Sequence, residues 1–150
     1  MFHPQSFLIY NINIRCLLAH HVELCSILED LKPHVVCIQE TWLNKSVEVK
    51  VIPNYIVLSR RDRSEGENRS GILTLVRHDL RGFVHLYNSV VAERSWHYLH
   101  LDVGIIAIGN WYRPPGSDIS HIESLRDEIA AMKHEVIGLC VTGDMNVHHV

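Results

Sequence analysis

Near its C-terminal end the chain carries Gly143-Asp144-Met145-Asn146-Val147-His148-His149, one residue beyond the apolar run 137–141. A strand that ends in an aspartate, with an asparagine two residues on, sets a carboxylate able to activate water beside an amide able to hold that water or a phosphate oxygen. Alone, such a pair is weak evidence, because Gly-Asp turns commonly follow buried strands and Asp144 could be an ordinary turn or cap residue. Repetition strengthens it. The run 7–10 leads into Asn11-Ile12-Asn13, the run 35–38 into Gln39-Glu40, and the run 105–108 through Gly109-Asn110-Trp111 into Tyr112-Arg113-Pro114-Pro115. Four apolar runs that each end in oxygen- or nitrogen-bearing groups can build one metal or phosphate site if their tips meet at one rim of a sheet.

The elements that must position these groups read as alternating strand and helix, followed by further strands. Leu17, Leu18, Val22, Leu24, Cys25, Leu28 and Leu31 form a broad apolar stripe that predicts a helix closed by Pro33. The segments 55–58, 72–76, 83–86 and 96–103 are strand candidates separated by turn-rich or charged stretches, as in antiparallel hairpins. Ile122, Leu125, Ile129 and Met132 recur at helical spacing before the last strand.

Composition bounds the answer. With 150 residues, 47% of them hydrophobic and 21% charged, the chain suits one globular core. A net charge of -3 gives no global signature of nucleic-acid binding, so any such contact must come from a local basic patch. Arg60-Arg61-Asp62-Arg63, with Arg69 nearby, is the one dense basic cluster; a solvated loop is the alternative to a contact with DNA phosphates. Cys16, Cys25, Cys37 and Cys140 show no C-x-x-C spacing, and Cys37 and Cys140 lie inside apolar strand patterns, which favours a reducing, intracellular compartment. No segment reads as a secretory leader, and no run approaches the ~18 apolar residues of a membrane span. Twelve histidines raise the question of zinc, and Cys16, His20, His21 and Cys25 are the densest set of ligand types. On a helix Cys16 and His20 lie close together while His21 and Cys25 point well around the cylinder, so the four could not converge and helix-face residues are the preferred reading.

The order Asn-x-Asn, Gln-Glu-Thr, Trp-Tyr-Arg-Pro-Pro-Gly and Gly-Asp-Met-Asn resembles the endonuclease/exonuclease/phosphatase superfamily. Tyr112 to Gly116 and Gly143 to His149 look most like its branch in non-LTR retrotransposons. The resemblance implies an α/β fold: a four-layer sandwich of two mixed sheets flanked by helices, here a single partial domain over residues 1–150 with the C-terminal part missing. It implies Mg²⁺, with Mn²⁺ as a possible substitute, liganded by Glu40 with Asn11 and Asn13 completing the metal and phosphate environment. Tyr112 would donate a hydrogen bond to a phosphate oxygen, Asp144 would position or deprotonate the attacking water, and Asn146 would orient that water or the phosphate. Arg113, Arg60, Arg61 and Arg63 are the candidate DNA contacts. Other readings stay open. Asn13 could cap the following helix, Tyr112 could be a core aromatic with a wet tip, and Arg113 could be a surface residue in a proline-fixed turn.

The resemblance thus points to a DNA-nicking, Mg²⁺-dependent phosphodiesterase in an intact parent, acting in the nucleus beside a downstream reverse-transcriptase domain. The family's Asp-His pair and a further acidic residue have no counterpart here, and neither His148 nor His149 can be transferred to that role. Residues 1–150 alone are therefore expected to lack appreciable nuclease activity, and half a sandwich is expected to expose one inner sheet face. An inert or metal- and phosphate-binding remnant, and a lipid or inositol phosphate hydrolase of the same superfamily, are the competing functions.

Overall fold

A computed structural model describes residues 6–62, 69–88 and 93–146. The chain order is β1 (Ile9–Asn13), α1 (Leu17–Leu31), β2 (Val35–Gln39), β3 (Tyr55–Arg61), β4 (Ile72–Arg77), β5 (Val84–Asn88), β6 (Arg94–Leu101), β7 (Gly104–Tyr112), α2 (Ser120–Met132) and β8 (Gly138–Asp144). These strands form two four-stranded sheets, β1-β2-β4-β3 and β5-β6-β7-β8. In each, one pair is parallel, β1 with β2 and β7 with β8, and the remaining pairs are antiparallel. Parallel neighbours need a crossover, and the two helices supply one for each pair.

Side-chain alternation sorts the strands into four layers. Val36, Ile38, Leu73 and Leu75 face α1 through Leu17, Leu24 and Leu28, with Tyr10 and Ile12 beside them. The opposite faces of the same strands, through Ile9, Val35, Cys37 and Val76, meet Val84, Leu99 and Ile108 of the second sheet. Trp96, Tyr98, Ala107 and Val141 turn to the far side and are covered by Leu125, Ile129 and Met132 of α2. Helix, sheet, sheet, helix is thus the order, as the mixed-sheet sandwich reading requires.

Two expectations fail here. The inner sheet faces cover each other instead of leaving one bare, because the described strands divide equally between the sheets. Strongly exposed apolar residues such as Val22, Val51 and Val103 belong to a helix and to turns. The apolar stripe of α1 is also narrower than the spacing predicts: Leu17, Leu24 and Leu28 are buried, whereas Leu18, Val22 and Leu31 are exposed. A non-helical His20 interrupts the helix and shifts the phase of its face. All four cysteines are free. Within α1, Cys25 and His21 are neighbours at 3.8 Å, and among the described residues no group of three or more His, Cys, Asp or Glu is placed to hold a metal.

Candidate active site

Parallel pairing sends β1 and β2 out of the first sheet in one direction, and β7 and β8 out of the second likewise. The two sets of tips come together. Asn13, the last residue of β1, donates from Nδ2 to Asp144 Oδ2, the last residue of β8, at 2.8 Å. Tyr112, the last residue of β7, donates its hydroxyl to Glu40 Oε1, one residue beyond β2, at 3.3 Å. Glu40 and Asp144 therefore emerge from facing sheets at one rim, not from opposite edges of a sheet.

Glu40 is buried and sits in the left-handed region at φ 52°. A non-glycine residue holds that conformation only where its surroundings fix it. Here Ile14, Cys16 and Leu17 donate their backbone N–H groups to the carbonyls of Gln39, Glu40 and Thr41, while Thr41 and Trp42 donate to Gly71 and Ser70. The segment after β2 is clamped from both sides, which turns the Glu40 carboxylate toward Tyr112. Arg15 reaches it only at 3.9 Å and is largely exposed, so solvent screens that ion pair. Burial, then the neighbouring carboxylates, first of all Glu40, push the Tyr112 phenol well above its ordinary range, so it is a neutral hydrogen-bond donor.

At Asp144, Oδ1 accepts from the Asn146 backbone N–H at 3.1 Å while Oδ2 accepts from Asn13. Asn146, at φ 44°, uses its Nδ2 to hold the Arg113 carbonyl at 2.7 Å. Asn13 does not cap α1, whose N-cap is Cys16. Its Oδ1 is buried with no hydrogen-bond partner, an oxygen donor left over at the rim. That orphan, on the same rim as the Glu40 carboxylate, suits a hard cation that takes oxygen ligands and keeps several waters.

Asn11 has its amide oxygen engaged by a neighbouring side chain. Its Oδ1 accepts from Gln39 Nε2 at 2.7 Å, so the exposed end is the amide N–H₂, a donor with no lone pair for a cation. Arg60 and Arg113 are likewise turned inward. Arg60 binds Asp62 through Nε at 2.7 Å and the carbonyls of Asn44 and Val47 through Nη2, tying a loop to β3. Arg113 donates to the Ser117 carbonyl at 2.7 Å and the Met145 carbonyl at 3.4 Å, stapling the turn after β7 to the residues that follow Asp144. Both guanidinium groups are thus engaged in part by acceptors of the chain itself. Arg61 lies at the end of β3, Arg69 sits over the Trp42 ring at 5.7 Å, and Arg63, His148 and His149 lie outside the described residues.

Three rim residues were given no role of their own from the sequence, although Gln39 and Asn110 stand within its motifs. Gln39 and Asn110 are fully buried polar side chains joined by a 2.8 Å hydrogen bond between the sheets. Glu93 is buried just before β6, accepts the Gly71 N–H at 3.3 Å, and its backbone carbonyl accepts the Tyr112 N–H. Asn110 carried a usable signal, since it is two residues before Tyr112 and so shares its face. Glu93 carried none. A separate cleft of about 620 Å³ opens at the other end of the first sheet, lined by Cys25, Leu28, Tyr55 and Arg77 among others. Arg77 is engaged there by Asp79 and the Lys32 carbonyl, and the convergent polar groups are at the Glu40 rim, which is the better candidate site.

Comparison with solved structures finds the same architecture. The AP endonuclease LMAP from Leishmania major superposes with a TM-score of 0.73 at 18% identity, over 94% of this chain and 55% of that one. The endonuclease domain of TRAS1, a telomere-specific non-LTR retrotransposon, gives 0.66 at 19% identity, over 95% and 61%. A mannosyl-6-phosphatase from Bacteroides thetaiotaomicron gives 0.65 at 13% identity, over 96% and 67%. The chain thus spans 55% of the length of the first of these structures and 61% of the second. No curated protein matches it. The model of the endonuclease/exonuclease/phosphatase family matches residues 8–150, nearly end to end, and with the four-layer sandwich and its rim this places the chain in that family.

Proposed function

We propose that this rim is the active site of a divalent-metal-dependent phosphodiesterase that nicks DNA, in the full-length polypeptide that carries these residues. The observation that supports the reading best is the meeting of Asn13 and Asp144 across the two sheets, with Asn13 Oδ1 buried and unpartnered at the rim that also carries Glu40. Glu40 and Asn13 Oδ1 would hold Mg²⁺, or Mn²⁺ in its place. When bound, the ion would neutralise charge developing on the phosphoryl oxygens. Asn11 Nδ2 and the Tyr112 hydroxyl would donate to non-bridging phosphate oxygens, where fixed donors favour the transition state over the ground state. Asp144, already oriented by two donors, would accept the proton of the attacking water as its oxygen bonds to phosphorus and the ester oxygen departs. Asn146 would keep that carboxylate in place through its backbone N–H and offer its Oδ1 to the water.

DNA as substrate, and a retrotransposon parent with a reverse-transcriptase partner and a nuclear site of action, are parts of this proposal. They draw on the Tyr112 to Gly116 and Gly143 to His149 motifs and on the fold shared with the TRAS1 domain. The fold shared with a mannosyl-6-phosphatase supports a second reading, a phosphomonoesterase using the same residues. The test is conversion of supercoiled plasmid to nicked circles by the full-length polypeptide with MgCl₂, run beside p-nitrophenyl phosphate hydrolysis. Nicking that disappears with EDTA and with Glu40→Gln is expected. Monoester hydrolysis without nicking would favour the second reading, and neither activity would reject both.

A further inference from the structure

Hydrogen bonds at the inner edge of the site have a fixed polarity that begins at a backbone carbonyl. Asn110 Nδ2 lies 3.1 Å from the Leu73 carbonyl oxygen and 3.0 Å from Thr74 Oγ1 of β4. A carbonyl can only accept, so Asn110 must turn its N–H₂ toward β4 and its Oδ1 away. That oxygen lies 2.8 Å from Gln39, which must therefore present Nε2. The same Nε2 lies 2.7 Å from Asn11, which must answer with Oδ1. With its oxygen committed inward, Asn11 has one direction left for its N–H₂: the exposed rim of β1. Asn110 and Gln39 are both fully buried, so water cannot take over the bond between them.

We infer that Asn110 and Gln39 are positioning residues: together they lock the Asn11 amide as a hydrogen-bond donor for a phosphate oxygen, using Leu73 of the first sheet to set the orientation. The inference rests on the phosphodiesterase reading for its ligand, but not for its geometry. An unlocked asparagine at the rim could offer either end to an incoming group. The locked one presents a donor before the phosphate arrives, so no reorientation accompanies binding. Gln39 Oε1 is buried without a partner, and a desolvated, unsatisfied oxygen is a cost that the two bonds of Nε2 must offset. A glutamine whose only task was packing would be replaced by leucine or methionine without that cost.

The test follows the side-chain amides by NMR on the full chain labelled with ¹⁵N at asparagine and glutamine, with inorganic phosphate as the probe. In the wild type the Gln39 N–H₂ protons should exchange slowly with solvent and those of Asn11 quickly. Phosphate should shift the Asn11 pair in a saturable way. Gln39→Met, which keeps the volume and removes the donor, should cut that shift at least about fivefold while leaving the Asn146 amide resonances in place. Asn110→Ser is the second variant and should weaken the response less, because Gln39 keeps its bond to Asn11. Fast exchange at Gln39, or an undiminished Asn11 response in Gln39→Met, would overturn the relay even if neither variant changed anything else. Absence of plasmid nicking with these signatures intact would instead remove the phosphodiesterase reading and leave the relay standing. In a nicking assay, Gln39→Met should raise KM for DNA about tenfold with a smaller change in kcat; an unchanged KM would count against the phosphate as the ligand of Asn11.

Discussion

Asp144 has a donor on each carboxylate oxygen, and Glu40 has its backbone clamped in a conformation that few residues adopt, so both acids are oriented by the chain itself. Glu40→Gln removes the charge and keeps the shape. In the full-length polypeptide it should lower the nicking rate at least about 100-fold with little loss of stability. Asp144→Asn should do at least as much, since an amide there can take no proton from water. Plasmid nicking and thermal melts of the same preparations decide it, and equal rates in both variants and the wild type would sink the assignment. Glu40, Tyr112 and Asp144 were legible in the sequence because each follows an apolar run, and a run that ends is where a strand tip must be. Which end of an amide is free was not legible. Asn11 and Asn13 are two residues apart and look equivalent, yet one has its oxygen taken by Gln39 and the other its nitrogen taken by Asp144. Nor does a motif show that Arg60 and Arg113 hold nearby backbone carbonyls.

Between elements, the strands of the second sheet are held to α2 by a buried cation. Arg94 at the start of β6 is fully buried, forms an ion pair with Glu128, donates to Ser124 Oγ at 2.7 Å and lies over the Trp111 ring at 4.8 Å. Trp96 Nε1 adds a 3.0 Å bond to the same glutamate. Glu128→Ala leaves that guanidinium buried and uncompensated and should cost about 3 kcal/mol or more, read from urea unfolding. A loss below about 1 kcal/mol would mean that water or Ser124 replaces the carboxylate. On the other side of β7, its pairing with β8 depends on Gly143. At φ 152° it lies so close to β7 that an added Cβ would fall 1.7 Å from the Trp111 carbonyl oxygen. Gly143→Ala should therefore destabilise the chain by at least about 2 kcal/mol and displace Asp144, one residue on. An alanine variant of wild-type stability would show that the strands can part without harm. The existence of both helices and most strands followed from hydrophobic period, but not their limits. β6 begins at Arg94, whose charge reads as a loop until Glu128 is brought across from α2.

For the molecule as a whole, the critical surface is the one between the two sheets, where the sequence pattern of strands gives no pairing. His97 lies in that layer, buried, with Nδ1 donating to the Ile108 carbonyl at 3.2 Å and Nε2 accepting from Ser59 Oγ of the opposite sheet at 2.7 Å. In the neutral ring these partners put the proton on Nδ1, and it is burial that disfavours the charged form. Burial lowers the pKa of His97 from 6.5 to about 4. Because the folded value is depressed, the unfolded chain binds the extra proton between those two pH values, and stability rises with pH across the window. The contribution is fully present above pH 6.5 and is lost as pH falls toward 4. The shift corresponds to about 3 kcal/mol at most. Urea midpoints measured between pH 7 and pH 4.5 should fall accordingly. His97→Gln, which keeps hydrogen-bonding groups and cannot titrate here, should flatten much of that slope while leaving the carboxylate contributions at lower pH. If the variant keeps the full wild-type slope between pH 7 and 4.5, the sheets do not owe their acid sensitivity to this histidine, and protonation of groups at the rim becomes the alternative cause.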